Sequence, residues 1–141
     1  MEISEVRNRV TQTIERARRG AADRRLRNDA AGRAFESLLA DVAMPLFKQI
    51  ANVLKIENYP FTVFTPSGSV RLMSDRSAQD FIELSLDTAG DAPQVICHTS
   101  RARGGHVVEA EVVVGSGAPD SISDEDLLAF LLKELEPYVE R

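Results

Sequence analysis

The sequence predicts an α+β fold in which helices flank a five-stranded antiparallel sheet. Residues 61–114 alternate between apolar and polar side chains, which is the pattern of half-buried strands. Apolar residues recur at helical spacing before residue 58 and again after residue 121. The connections between the strands are too short for parallel crossovers, so neighbouring strands are expected to run antiparallel. The 141 residues have the length of a single domain, and one face of the sheet is expected to be covered by helices.

Residues 3–27 are predicted to form a first helix, and residues 1–28 a basic arm that protrudes from the domain. Its apolar residues make a thin stripe, closer to a coiled-coil seam than to a core-facing surface: Ile3, Val6, Val10, Ile14, Ala17 and Ala21. The rest of the chain is too small to cover so long and so thinly apolar a helix along its whole length, so we expect the helix to pack on a second copy. Gly20 is its weak point, and the helix could end there with a loop through Asn28-Asp29.

A second, core helix is predicted within residues 29–58. Its apolar face is wide and is expected to pack on the sheet: Phe35, Leu38, Leu39, Val42, Leu46, Phe47, Ile50, Val53 and Leu54. Pro45 lies inside this helix. Because an interior proline loses a hydrogen bond and clashes with the preceding turn, a kink or break is expected near Ala43-Met44.

The predicted antiparallel sheet spans residues 59–115. Its strands are Phe61–Thr65, Val70–Met73, Asp80–Thr88, Gln94–Ser100 and His106–Val114. If the third and fourth strands pair around the Gly90 turn, Glu83 lies opposite His98 and Leu84 opposite Cys97. This register puts Cys97 on the apolar face and His98 on the polar face, whereas a slip by one residue would exchange them.

A C-terminal helix is predicted within residues 121–139, with Ser121 or Ser123 as its N-cap. Three acidic residues follow in the first turn, where the helix dipole favours them. Apolar residues cover more than half of its circumference: Leu127, Leu128, Phe130, Leu131, Leu132, Leu135, Tyr138 and Val139. Such a helix is buried on more than one side, either in a three-layer packing or in a subunit interface.

Charge is distributed unevenly along the chain. Residues 1–35 contain nine arginines and five acidic residues, a net +4, so the remainder carries −9 to give the total of −5. A set of arginines on the first helix could bind a polyanion: Arg16, Arg18, Arg19, Arg24, Arg25 and Arg27. The competing interpretation is a solvated helix whose basic side meets the acidic body of its own chain or of a second copy. The arm has no aromatic residue to stack on bases and the whole chain is acidic, so this second interpretation is favoured.

A ligand-binding hypothesis concerns the polar face of the sheet and its adjoining turns: Tyr59, Arg71, Glu83, His98, Arg101 and Arg103. A histidine among carboxylates has the chemistry of a metal or acid–base site, but the same residues are typical of a solvated sheet face. The glycine-rich turn after Arg101 could hold an anion on its backbone N–H groups. Gly115-Ser116-Gly117 lacks the third glycine and the lysine of a phosphate loop. No catalytic residue, metal site or cofactor is predicted.

The single cysteine, Cys97, excludes an intrachain disulfide and is expected to be a small buried apolar residue. His98 follows it directly in a strand, so the two side chains point to opposite faces and cannot form a dyad. The N-terminus has no basic stretch followed by an apolar run, so no signal peptide is predicted. No membrane span is predicted either, and these features together favour a cytoplasmic protein.

The sequence favours a non-enzymatic interaction or adaptor protein that self-associates through its helices. A homodimer is the favoured assembly, and a further protein partner is possible. The alternative is a nucleic-acid or other polyanion binder acting through residues 16–33. A second alternative is a small-ligand-binding or enzymatic domain with a pocket between sheet and helices, near Tyr59, Arg71 and His98.

Overall fold

Two helices precede the sheet in the computed structural model, which describes residues 1–140. Helix α1 spans Ile3–Leu38, a π-helical turn spans Leu39–Ala43, and helix α2 spans Met44–Ile56. The break considered at Gly20 or Asn28-Asp29 does not occur, because a single glycine and a polar pair weaken a helix without ending it. The two helices therefore meet near residues 39–43 rather than at residues 28–29.

Pro45 sets the position of the π-helical turn. The N–H of Met44 donates to the carbonyl of Leu39, five residues back, which widens the turn before the proline. The wider turn avoids the clash between the Pro45 ring and the residues before it. Pro45 then occupies the first turn of α2, where its missing N–H removes no helical hydrogen bond. The chain stays helical without a break at Ala43-Met44, and the irregularity beside Pro45 takes the form of a π-helical turn.

The sheet is a five-stranded antiparallel meander in the order β1-β2-β3-β4-β5. Its strands are β1 (Phe61–Phe64), β2 (Val70–Ser74), β3 (Phe81–Asp87), β4 (Gln94–Arg103) and β5 (His106–Val113). The predicted register is confirmed: Glu83 lies opposite His98, and Leu84 opposite Cys97. The β4–β5 hairpin closes through Gly104 and Gly105, both at positive φ (55° and 85°), as a two-residue primed turn requires.

The hydrophobic core lies between one face of the sheet and the helices. Helix α2 contacts β1 and β2, and helix α3 (Asp124–Leu135) packs on the same face. The most deeply buried large side chains come from all of these elements: Phe47, Ile82, Leu84, Leu127, Val70, Val95, Val114 and Cys97. β5 differs from the other strands, because all eight of its residues are exposed although its even-numbered residues share the helix-covered face.

Helix α3 is shorter than the predicted 121–139. Ser123 is its N-cap, and its hydroxyl oxygen accepts from the N–H of Asp126 at 3.1 Å. Short 3₁₀ turns at Pro119–Ser121 and Glu136–Tyr138 flank the helix, since each contains a proline that suits a first-turn position. Leu127, Leu131 and Leu135 face the core, while Leu132 remains half exposed. No helix among residues 1–140 combines the length and apolarity needed to cross a bilayer.

Candidate interaction surfaces

Residues 1–19, which include the N-terminal part of α1, are the longest continuous run of exposed residues among residues 1–140. Every one of these residues is exposed, including the apolar stripe, where Ile3 is 80% exposed and Val10 51%. At about 1.5 Å per residue this segment extends roughly 28 Å. From here on, the arm means residues 1–19 alone, the exposed part of the predicted segment 1–28. Within it Glu5 and Arg9 form an ion pair at 3.1 Å, one helical turn apart and exposed to solvent.

The arm leaves the body of the protein just before residue 20. Ala21 and Asn28 lie beside the β3–β4 turn, where they line a groove together with residues 88–91. Ala21 and Asn28 follow Ile14 at intervals of seven residues, or nearly two helical turns, so they share its side of the helix. The apolar stripe of the arm therefore lies on the side of α1 that, from residue 20 onward, contacts the body.

The six arginines predicted to bind a polyanion are all exposed. Arg16, Arg18 and Arg19 lie on the arm, whereas Arg24 lines the groove at the β3–β4 turn. At about 100° per residue these positions are spread around the whole circumference of the helix rather than along one face. The arginines therefore do not form a single basic stripe that could follow one phosphate backbone.

The uncovered face of the sheet gathers three of the six residues of the ligand-binding hypothesis. Arg71 Nε donates to Glu83 Oε1 at 3.1 Å, and its guanidinium lies 4.1 Å from the centre of the Phe81 ring. His98 packs edge-on against Phe81 and has Nε2 3.2 Å from Glu109 Oε1. Each charged group in this cluster therefore already has a partner within its own chain.

A separate cleft of about 380 Å³ contains two other residues of that hypothesis, Tyr59 and Arg101. It is also lined by Arg76, Asp80 and Tyr138, which were not among the predicted ligand-binding residues. The Tyr138 hydroxyl lies 2.7 Å from the carbonyl oxygen of Ser100 and 2.9 Å from that of Phe81. The contacts of Tyr138 thus tie the C-terminal turn to the sheet. Arg103, the sixth residue, lies exposed at the β4–β5 hairpin and does not line this cleft.

The cleft therefore joins residues far apart in the chain, and no local sequence pattern marks them. Among residues 1–140, no three histidine, cysteine or carboxylate side chains lie close enough together to hold a metal ion.

Cys97 is fully buried in β4, as the register predicts. Burial raises the pKa of its thiol to about 12, with a smaller contribution from the nearby carboxylate of Glu134. The thiol is therefore neutral and shielded from solvent at physiological pH, which is the condition of an unreactive structural cysteine.

Comparison with protein families, with characterised proteins and with solved structures finds no match for this chain.

Proposed function

We propose that this protein is a non-enzymatic interaction or adaptor protein of the cytoplasm that self-associates through its helices. The observation that supports this proposal most directly is the arm, whose apolar stripe is exposed along its full length. Most helical stability in proteins comes from packing an apolar face, and the apolar face of the arm is exposed. A second copy of the arm offers a matching stripe, and its burial contributes about 25 cal/mol per Å² of apolar surface removed from water.

The position of the body favours an antiparallel pair of arms. Because the body lies on the stripe side of α1 from residue 20 onward, two parallel arms would bring both bodies to the same place. Antiparallel arms centred on Val10 place the bodies at opposite ends. This arrangement sets Ile3 against Ala17 and Val6 against Ile14 of the second copy, so the overlap ends just before each body begins.

Charge supports the same orientation. Residues 1–15 contain three glutamates and two arginines, a net −1, while residues 16–27 contain six arginines and one aspartate, a net +5. Parallel arms would place the two +5 segments side by side. Antiparallel arms instead place Glu2 near Arg18 of the second copy, which reduces repulsion and fixes the register.

A second apolar surface supports the adaptor part of the proposal. Leu128 and Leu132 project from the outer side of α3, where they are 36% and 51% exposed. They lie one helical turn apart and so form one small patch. This patch is available for a different protein while the arms hold two copies together.

Native mass spectrometry of the purified full chain tests this proposal. We expect a species of twice the chain mass or a higher multiple, with no additional mass. A monomer at concentrations of tens of micromolar would contradict self-association. A species that carries bound nucleic acid would instead support the alternative function, a polyanion binder that uses the exposed arginines between Arg16 and Arg27.

A further inference from the structure

Strand β5 is an uncovered edge of the sheet. It pairs with β4 on one side only, and all of its residues are exposed. Val108 and Val112, on the helix side of the sheet, are 48% and 40% exposed because the helices do not reach this strand. Free edges are normally blunted by proline, by charged side chains, above all lysine, or by a bulge. Strand β5 has no proline or lysine and keeps a continuous register with β4, and Glu109 and Glu111 are its only acidic residues.

The register shows which backbone groups of β5 are free. In the β4–β5 pair the N–H of Val114 donates to the carbonyl of Val95, and residues with hydrogen bonds to the neighbouring strand alternate along an antiparallel pair. The even-numbered residues of β5 therefore bond to β4. The N–H and C=O groups of Val107, Glu109, Glu111 and Val113 point outward from the sheet.

Residues 107–113 read Val-Val-Glu-Ala-Glu-Val-Val, which is the same in both directions. An antiparallel pair of identical strands related by a two-fold axis also reads the same in both directions. The sequence of β5 therefore matches a second copy of itself when the axis passes through Ala110.

We propose that β5 pairs with β5 of a second copy, antiparallel and centred on Ala110, to join two sheets into one of ten strands. Val107 then lies opposite Val113, and Glu109 opposite Glu111, of the second copy. Each of these two pairings occurs twice because of the two-fold axis, so four pairs use every outward-facing backbone group of both strands and give eight hydrogen bonds. On the helix side, Val108, Ala110 and Val112 of the two copies form one continuous apolar row.

Other registers are less favourable. Shifting the axis to residue 109 or 111 keeps the side chains on their faces but reduces four hydrogen-bonded pairs to three. It also places a valine opposite a glutamate, which the register centred on Ala110 avoids.

The proposed register has one unfavourable feature, the two contacts between Glu109 and Glu111 across the axis. Like charges directly opposite each other destabilise a strand pair only modestly, so eight new backbone hydrogen bonds outweigh them. His98 Nε2 also lies 3.2 Å from Glu109 Oε1 and gives that carboxylate a partner on β4.

The β5 contact is separate from the arm, so it does not rest on the proposed function. A chain that uses both surfaces builds assemblies larger than a dimer, and loss of either surface leaves the other contact in place.

Disulfide trapping of the full chain tests this proposal. In the proposed pair, Ala110 of the two copies is a non-hydrogen-bonded pair with Cα atoms about 4.5 Å apart, within the range that a disulfide spans. We expect Ala110→Cys to form a covalent dimer as the major species on mild oxidation. Residue 110 is exposed, so the substitution leaves the fold intact.

Val108→Cys is the matched control. Val108 lies opposite Val112 of the second copy, and the two Val108 residues are separated by four positions along the strand, or roughly 14 Å. Val108→Cys alone should therefore remain uncrosslinked, whereas an equimolar mixture of Val108→Cys and Val112→Cys should form the mixed dimer. Native Cys97 is buried and serves as the internal background in every variant.

Crosslinking of Ala110→Cys that is absent in Val108→Cys supports the proposal. Equal crosslinking of both variants, or none in either, overturns it. The same experiment in a Val6→Asp, Val10→Asp background separates the two contacts. A persistent Ala110→Cys dimer supports an independent β5 contact, and a dimer that disappears overturns that independence and assigns the association to the arms alone.

Discussion

Replacing Phe47 by alanine is expected to lower the free energy of unfolding by about 3–5 kcal/mol. Phe47 lies in α2 at 1% exposure and belongs to the cluster that joins the helices to the sheet. Removing its ring loses the transfer free energy of the aromatic side chain and leaves a cavity that the surrounding strands close only in part. Since a domain of this size is stabilised by only about 5–15 kcal/mol, the loss is a large fraction of the total.

Urea unfolding followed by circular dichroism, at one fixed protein concentration, measures this change. Val53→Ala is the matched control, because Val53 lies in the same helix but is 59% exposed. The control is expected to change stability by no more than about 0.5 kcal/mol. A cost below about 1 kcal/mol for Phe47→Ala would show that α2 does not pack on the sheet as described.

The double change Val6→Asp, Val10→Asp is expected to weaken self-association through the arm by about 100-fold or more, which corresponds to about 2.7 kcal/mol. Both valines lie on the exposed stripe, and in the antiparallel arrangement both enter the contact between the two arms. A carboxylate placed there loses its hydration without gaining a partner, so it strongly disfavours the associated state. Sedimentation equilibrium over a range of concentrations measures the effect.

Asn8→Asp, Gln12→Asp is the matched control for that experiment. It adds the same two negative charges to the same segment, but on the opposite side of the helix from the stripe. We expect it to preserve association. Equal weakening by both double variants would mean that charge, rather than burial of the stripe, governs the assembly.

Much of the fold could be predicted because local signals agree with the tertiary structure. Alternation in residues 81–87, together with a short turn at Gly90, was sufficient to set Glu83 opposite His98. The helix boundary was harder to place. Gly20 and Asn28-Asp29 resemble helix breakers, yet α1 continues through them. The surrounding sequence is rich in alanine and arginine, which have high helix propensities.

The candidate surfaces were predicted less completely. The exposed stripe of the arm follows from its narrowness, which is visible in the sequence. The exposure of β5 could not be predicted in this way, since its alternating valines and glutamates are equally typical of a strand covered on one side. The cleft beside Tyr138 depends on bringing residues 59, 80, 101 and 138 together, and only the tertiary fold does that.

Distance measurement by electron spin resonance tests the pairing of the arms most directly. A spin label is attached at Thr11→Cys or Ser4→Cys, two exposed positions that share one flank of α1 beside the stripe, while buried Cys97 stays unlabelled. In antiparallel arms centred on Val10, the two labels at position 11 lie almost level. The two at position 4 are offset by about 18 Å along the helix axis. We expect dipolar coupling between copies at both positions, with the distance at position 4 longer by roughly 5 Å. The absence of coupling at both positions would contradict pairing of the arms, and equal distances would contradict their antiparallel orientation.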